Sequence, residues 1–486
     1  MLSHHIVHRQ LLSVEVEGTE ADGLALQRHL PDLCRNRLTH VIGQALDCYA
    51  PSHGLLCIER LDIDVGKVTL DRLEHDLLEA VKLALEKLLR DHAGVVKKGS
   101  AAVPCNTGYQ FKTTRQTLDE AFIYFLKTGL LPPSLQLSQG MTLEQALVAA
   151  WRETHEGVAE RLLMPDAIAK ELVVEAARKR LVRQFSSAFL DILLAGISPQ
   201  SKAVLDRVLE TMRHPGHATA AAMQFKRQLW EKAFAFATTH TQSTPAELVA
   251  VAWHALPAPM PGRDALAIVL EHHWPRVTHE ASGKADEHAE TGKPASRRSP
   301  APERMPSAAG RAHCQFAANM PTPEGVYIDN AGLVLLHPFL AGFFSKLGVA
   351  TDDQLSDADR ALCLLHYLCT GQSVAPEHAL ALSKILCDIP LVAVVESDVG
   401  LTDDEKEEAI ALLEAVIRHW DALRNTSPDG LRGTFLLRSG KLSERDGEWL
   451  LQVESNASDI LLDQLPWGVS IIKLPWMKNK LWVEWG

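Results

Sequence analysis

From residue 278 to 324 the sequence offers a core almost nothing. It reads Glu280-Ala-Ser-Gly-Lys-Ala-Asp-Glu-His288, and later Pro294-Ala-Ser-Arg-Arg-Ser-Pro-Ala-Pro-Glu-Arg-Met-Pro-Ser-Ala-Ala-Gly-Arg311. Pro, Ser, Ala and charge bury too little apolar surface to offset the entropy of ordering a backbone, so this stretch predicts a flexible linker. A chain of 486 residues interrupted in this way does not close on one core. At roughly 100–200 residues per domain it holds two to four. The sequence as a whole is 46% hydrophobic and 23% charged, which excludes a wholly disordered or collagen-like chain. Its 49 Lys and Arg against 61 Asp and Glu give a net charge of −12, a poor balance for gripping nucleic acid or an anionic membrane.

Hydrophobic period divides the remainder. Leu12, Val14 and Val16 alternate with Ser13, Glu15 and Glu17, which predicts a half-buried strand over 6–17, ended by Gly18. From Asp22 to Tyr49 the apolar residues Leu26, Leu30, Leu33, Leu38, Val41, Ile42, Ala45 and Leu46 recur at three and four, one face of a helix. Alternation returns over 55–69, with Leu61, Ile63 and Val65 opposite Asp62 and Asp64, and a second helix carries Leu73, Leu77, Val81, Leu85 and Leu88. Residues 1–98 therefore predict a β-α-β-α unit. Two strands alone are marginal, so these must pair with each other over the helices or with another chain.

Residues 93–112 read as a loop. A helical region spans 113–277, opened by a short helix that Thr128-Gly129 and Pro132-Pro133 stop, and followed by a helix with its cap at Thr142. Breaks fall at Gly157, Pro165, Gly196, Pro199, Pro215, Pro245, Pro257 and Pro261, which predicts short helices in an array rather than one rod. After the linker, 325–486 predicts an α+β domain: a short element at Val326–Asp329, a buried run from Leu333 to Phe344, helices near 358–369, 376–387 and 403–420, and a strand-rich end from Glu448. The fold class is α+β, predominantly helical, ending in a small Trp-rich β-meander. Tyr124-Phe-Leu-Lys-Thr-Gly129 and His366-Tyr-Leu-Cys-Thr-Gly371 echo each other, and shared cap chemistry accounts for this as well as duplication does.

Signatures of chemistry are missing. No phosphate-cradling glycine loop occurs; His155-Glu156 does not extend to a zinc protease motif, and Gly371-Gln372-Ser373 does not extend to a hydrolase elbow. Among 22 histidines, adjacent pairs such as His272-His273 diverge on a helix and rarely share one ion. Asp62 and Asp64 leave one strand face without a third oxygen ligand near in sequence, so a solvated face is the plainer reading. Cys363 and His366 stand at i and i+3, yet their apolar setting raises a thiol pKa rather than lowering it. The eight cysteines form no C-x-x-C pair and read as reduced, buried thiols. The acidic run Asp403-Asp404-Glu405-Lys406-Glu407-Glu408 follows Thr402 and reads as the capped start of a helix. No catalytic, cofactor or metal residues are assigned, and the chain is not expected to be an enzyme. No apolar run approaches a membrane span, and Met1–Arg9 lacks the features of a signal peptide.

The last segment stands apart. Leu465-Pro466-Trp467 and Leu474-Pro475-Trp476 flank an apolar strand, and Trp449, Trp482 and Trp485 bring the tryptophans there to half of the chain's ten. One reading is a hydrophobic β-core with tryptophan fillers. The other is a docking surface formed by Trp467, Trp476, Trp482 and Trp485, with Lys473, Lys478 and Lys480 at its rim.

Two blocks of sequence resemble the contractile injection system tape-measure proteins of phage-tail-like particles. At the N-terminus they are His5–Gly18, Glu20–Gln27 and Ile58–Gly66; at the C-terminus, Thr426–Arg432, Phe435–Leu442 and Leu461–Met477. The resemblance implies a non-enzymatic assembly protein without cofactors that sets inner-tube length or initiates the tube. Its implied partners are inner-tube, baseplate or cap proteins, with no nucleic acid; a homo-oligomer is compatible. The implied location is the bacterial cytoplasm during assembly and then the particle. The alternative is an adaptor or cargo-loading module docking through the Trp-rich end. A continuous helix of this length would reach about 730 Å, a reach these interrupted helices do not have.

Overall fold

The computed structural model describes residues 5, 7, 10–49, 55–58, 60–69, 72–96, 109–135, 137, 141–153, 165–212, 219–239, 241, 243–257, 260–275, 325–351, 353–423 and 425–485. The expected linker at 278–324 and the expected breaks at Gly157 and Pro215 lie outside them. The protein is predominantly helical with a small sheet near its C-terminus. It divides into two compact units. One comprises Met1–Phe122 with Pro132–Ala159, the other Ile123–Leu131 with Glu160–Gly486.

In the first unit, α1 (Glu20–Asp32) starts at Thr19, whose hydroxyl accepts from the Asp22 amide while Asp22 accepts from the Thr19 amide at 2.9 Å. A π-helical turn, Leu33–Leu38, joins it to α2 (Thr39–Tyr49), so the expected single helix persists with one widened turn. Strand β1 (Leu55–Ile58) precedes α3 (Leu73–Val96), and β2 (Tyr109–Lys112) precedes α4 (Thr114–Thr128), which runs on into the second unit. The apolar stripes meet as expected. Leu33, Leu38, Leu77 and Val81 form one buried cluster, Ala45, Leu85 and Leu89 another, and half-buried Leu61, Ile63 and Val65 pack on them. The strands depart from expectation. Residues 10–18 form no strand, and over 55–69 only β1 does. β1 pairs antiparallel with β2, from Leu55↔Lys112 to Ile58↔Tyr109, inside the stretch read as loop. Alternation reports which side is apolar; it carries no information about which backbone lies alongside. α5 (Leu143–Glu153) begins at Thr142, which exchanges bonds with Gln145.

The second unit holds α6 (Pro165–Glu171), α7 (Glu175–Gln184), α8 (Ser187–Ile197), α9 (Pro199–Thr211), α10 (Ala220–Thr238), α11 (Pro245–His254) and α12 (Arg263–His273). Side chains of Ser186, Ser198, Thr219 and Thr244 cap four of these, with prolines at the first position of α9 and α11. Gly196 breaks nothing: α8 runs through it, because Ser198-Pro199 one turn later supplies the next cap. Buried Phe189, Phe225, Phe234, Leu193 and Leu229 fill the core of this array.

The same unit continues with β3 (Val326–Ile328) and a 3₁₀ stretch, Ala331–Leu336, in which all six residues are buried. Gly332 is required there, since a Cβ would lie 1.7 Å from the Phe435 carbonyl oxygen. Next come α13 (His337–Lys346), the two-residue strands β4 (Ala350–Thr351) and β5 (Gln354–Leu355), α14 (Ala358–Thr370), α15 (Ala381–Leu386) and α16 (Asp403–His419). The acidic start of α16 is a cap: Glu405 accepts from the Thr402 amide at 2.7 Å and from Arg360 at 2.6 Å. Strands β6 (Gly440–Arg445), β7 (Glu448–Val453), β8 (Ile471–Ile472) and β9 (Leu481–Trp485) join β3 in a five-stranded sheet ordered β3-β6-β7-β9-β8. The expected small sheet is therefore present, but β7 and β9 run parallel, so it is mixed rather than a meander. A parallel pair needs a crossover, supplied by residues 454–480 with the 3₁₀ turn Ala457–Gln464.

Candidate docking surface and the buried charge network

Register sorts the Trp-rich end into two faces. Directly opposed residues share a face, so Leu450, Trp482 and Ile471 form one outer row and Tyr327, Lys441, Gln452 and Glu484 the next. Trp482 and Ile471, opposite each other on neighbouring strands, are 41% and 45% exposed, and Tyr327 at the far edge of the sheet is 44% exposed, so large apolar side chains stand among Lys441, Gln452 and Glu484 on this face. Glu448 accepts a hydrogen bond from Trp482 Nε1, fixing the ring. The ammonium of Lys480 lies 6.0 Å from the Trp482 ring centre, and that of Lys441 5.7 Å from the Tyr327 ring.

The other expected contact residues are placed differently. Trp476 is buried; its Nε1 donates to the Leu386 carbonyl at 2.8 Å and its ring lies 5.5 Å from that of Phe344. Trp467 is half-buried, donates to the Leu335 carbonyl at 3.1 Å and meets Phe339 edge-on. Trp485 lies on the inner face with Arg438 over its ring at 5.7 Å. Lys473 and Lys478 are exposed, the first donating to the Lys478 carbonyl and the second pairing with Asp388 at 3.2 Å. The two readings of this segment thus divide by residue. Trp467, Trp476 and Trp485 pack inward, while Trp482 with Lys480 faces out. Tyr327 and Ile471 escape sequence reasoning because two pairings, Tyr327↔Lys441 across more than a hundred residues and Ile471↔Trp482 across eleven, put them on the outer face of the same sheet. The alternation Val326-Tyr327-Ile328 is too short a signal on its own.

A second constellation is wholly buried. Arg180, Glu377 and Lys384 are each 0% exposed. Glu377 accepts from Arg180 Nε at 2.9 Å and from Lys384 Nζ at 2.8 Å. Arg180 also donates to the carbonyls of Leu126 and Val392, and Lys384 to those of Leu391 and Ala393. Burial drives the Lys384 pKa down, opposed by the Glu377 charge. Gly129, at φ +78°, clears the way: a Cβ there would sit 2.3 Å from Glu377 Oε1. The network joins α4 and α7 to the segment 389–395 through a single carboxylate. It also enlarges the internal echo. Thr128 and Thr370 each donate to a carbonyl one turn back at 2.8 Å, and Gly129 and Gly371 both have positive φ. Arg180 caps the carbonyl of Leu126, as Arg432 caps that of Leu368 at 3.0 Å. In each helix the capped carbonyl lies three residues before the glycine.

Groups considered for chemistry have structural environments. Burial pushes the Cys363 thiol up to about 12 and holds His366 down at about 4. Asp62 accepts from Arg60 at 2.9 Å, and Asp64 from the Gly66 amide at 2.9 Å. Among the described residues no three His, Cys, Asp or Glu side chains gather as a metal site would require, and no helix is long and apolar enough to cross a membrane. The concave features among them include an open groove over Tyr367, Lys406, Ile410 and Glu414.

Compared with known families, residues 4–485 match the model for the contractile injection system tape measure protein. The chain belongs to that family. The match takes in nearly the whole chain, including the middle region where the sequence blocks fall silent. No curated protein and no solved structure matches this tape measure protein at a significant level.

Proposed function

We propose that this tape measure family member is a non-enzymatic assembly protein of a phage-tail-like particle. It acts as a folded body that initiates the inner tube or sets its length by docking to tube, baseplate or cap subunits. The buried network carries this reading. Drawing the second unit out into a rod would separate Arg180 and Lys384 from their shared carboxylate and expose the apolar core around them, including Phe344, Trp420 and Phe435. Helix lengths agree: α3, with 24 residues, spans about 36 Å. The docking face is the outer sheet surface around Trp482 and Lys480.

Particles assembled with Trp482→Ala/Lys480→Ala, and particles assembled without the protein, test this by electron microscopy of tube length and by the chain's content in purified particles. Loss of the doubly substituted chain from particles, with lengths altered as in its absence, is the expected result. Normal incorporation and unchanged lengths refute it. The exposure of Trp482 also favours the adaptor reading, which predicts particles of ordinary length that lack cargo.

A further inference from the structure

Residues 10–18 carry a strand pattern, and no strand among the described residues pairs with them. Leu11 is 77% exposed, and Leu12, Val14 and Val16 are 38–41% exposed. No backbone hydrogen bond ties them into a ladder with another described residue. Their neighbour is the segment 60–69, likewise outside any ladder: Glu17 reaches Lys67 at 3.7 Å. That segment keeps its alternation, with Leu61, Ile63 and Val65 turned onto the α1–α3 helices and Asp62 and Asp64 exposed. Two strand-patterned segments, one half-seated on helices and the other partly covered and tied to it by the Glu17–Lys67 pair, leave a strand edge open among the described residues.

We propose that residues 10–18 fill this open edge by pairing antiparallel, about a twofold axis at Val14, with the same segment of a second copy of the chain. The pattern selects both occupant and register. With Val14 opposite itself, Leu12 meets Val16, Ser13 meets Glu15 and Leu11 meets Glu17. All three apolar residues then pair on one face, and no carboxylate faces another. A shift that centres the pair on Glu15 sets that carboxylate against its own copy. A shift to Ser13 leaves Val16 opposite Gln10. Like charges directly opposed destabilise a ladder and apolar pairs support it, so the Val14 register wins. The product is a four-segment layer, 60–69 and 10–18 from one copy and the same two from the other, with helices of both copies on one face. A self-complementary strand of this kind gives a closed dimer and not an open filament.

The test uses the full chain in a Cys48→Ser background, because Cys48 is exposed. Sedimentation velocity is expected to give a species of twice the 53.5 kDa chain mass. Val14→Cys, which lies on the axis, is expected to form an intermolecular disulfide on mild oxidation. Leu11→Cys is expected not to, since its copies stand about 20 Å apart in this register. Val14→Pro, which removes a ladder amide, is expected to raise the dimer dissociation constant at least about tenfold while leaving the helical circular dichroism unchanged. A monomer at every concentration overturns the proposal, as pairing with a different protein or with 60–69 alone would give. So does a dimer in which Val14→Cys cross-links no faster than Leu11→Cys.

Discussion

Replacing Glu377 with Gln removes one charge and almost no volume, which isolates the electrostatic role of the buried network. Among the described residues the carboxylate is the only acid within hydrogen-bond reach of both Arg180 and Lys384, at 2.9 and 2.8 Å, and all three side chains are fully enclosed. In the variant two cations remain buried with carbonyl partners alone, and an amide can accept through only one oxygen. Breaking a buried pair by removing one partner costs about 3–5 kcal/mol. For a unit of this size that corresponds to roughly 6–20 °C in melting temperature. Urea unfolding followed by tryptophan fluorescence reads the loss, since Trp420 and Trp476 are buried in the same unit. Adding Lys384→Met removes one stranded cation, so the double variant is expected to lose less than the two single losses summed, by about 1–3 kcal/mol. A Glu377→Gln loss below about 1 kcal/mol, or strict additivity with Lys384→Met, would show that the carboxylate does not hold this junction together.

Trp476→Ala is expected to destabilise the second unit by about 3–5 kcal/mol, whereas Trp482→Ala costs under about 1.5 kcal/mol; the same urea titration separates them, and equal losses refute the division of the sheet into two faces. Burial holds His366 and His378 at about 4, below the value near 6.5 of an exposed imidazole. Their neutral forms therefore support the fold fully above pH 6.5, and that support drains away as pH falls towards 4. Unfolding free energy measured from pH 7.5 to 4.5 is expected to decline at the acid end, and His366→Asn with His378→Asn is expected to flatten the decline. Gly332→Ala, which drives a methyl into the Phe435 carbonyl, is expected to cost about 3 kcal/mol or more, visible as a lowered melting temperature.

Much of the architecture is legible in the sequence. Helices preceded by Thr142, Ser198, Thr244 and Thr402 begin there because a side-chain oxygen takes up an orphan amide, and that information is local. The helical stripes of residues 22–49 and 73–88 are equally plain, since the faces they predict meet in the buried clusters, with Leu89 rather than Leu88 closing the second. What escaped was pairing over long distances. Nothing near Tyr327 announces Lys441, and nothing near Leu450 announces Trp482. The Arg180–Glu377–Lys384 network escaped for the same reason. Each residue alone resembles a solvated surface charge, and only a fold that brings α7 against residues 377–395 makes a buried one of it.

The strand pattern of residues 6–17 is a different kind of case, because there the period was readable and the expected element did not form in the single chain. An α-helix satisfies its own backbone, so a helical pattern is realised wherever one face can be buried. A strand satisfies half its backbone at most, and its realisation depends on a neighbour. For 61–65 the helices supply an apolar seat but no ladder, and the side chains alternate without backbone pairing to another strand among the described residues. For 12–16 no ladder forms among the described residues, and the four apolar side chains from Leu11 to Val16 remain 38–77% exposed. No described residue partners this pattern in a ladder, and the register at Val14 is the arrangement in which this sequence is its own complement.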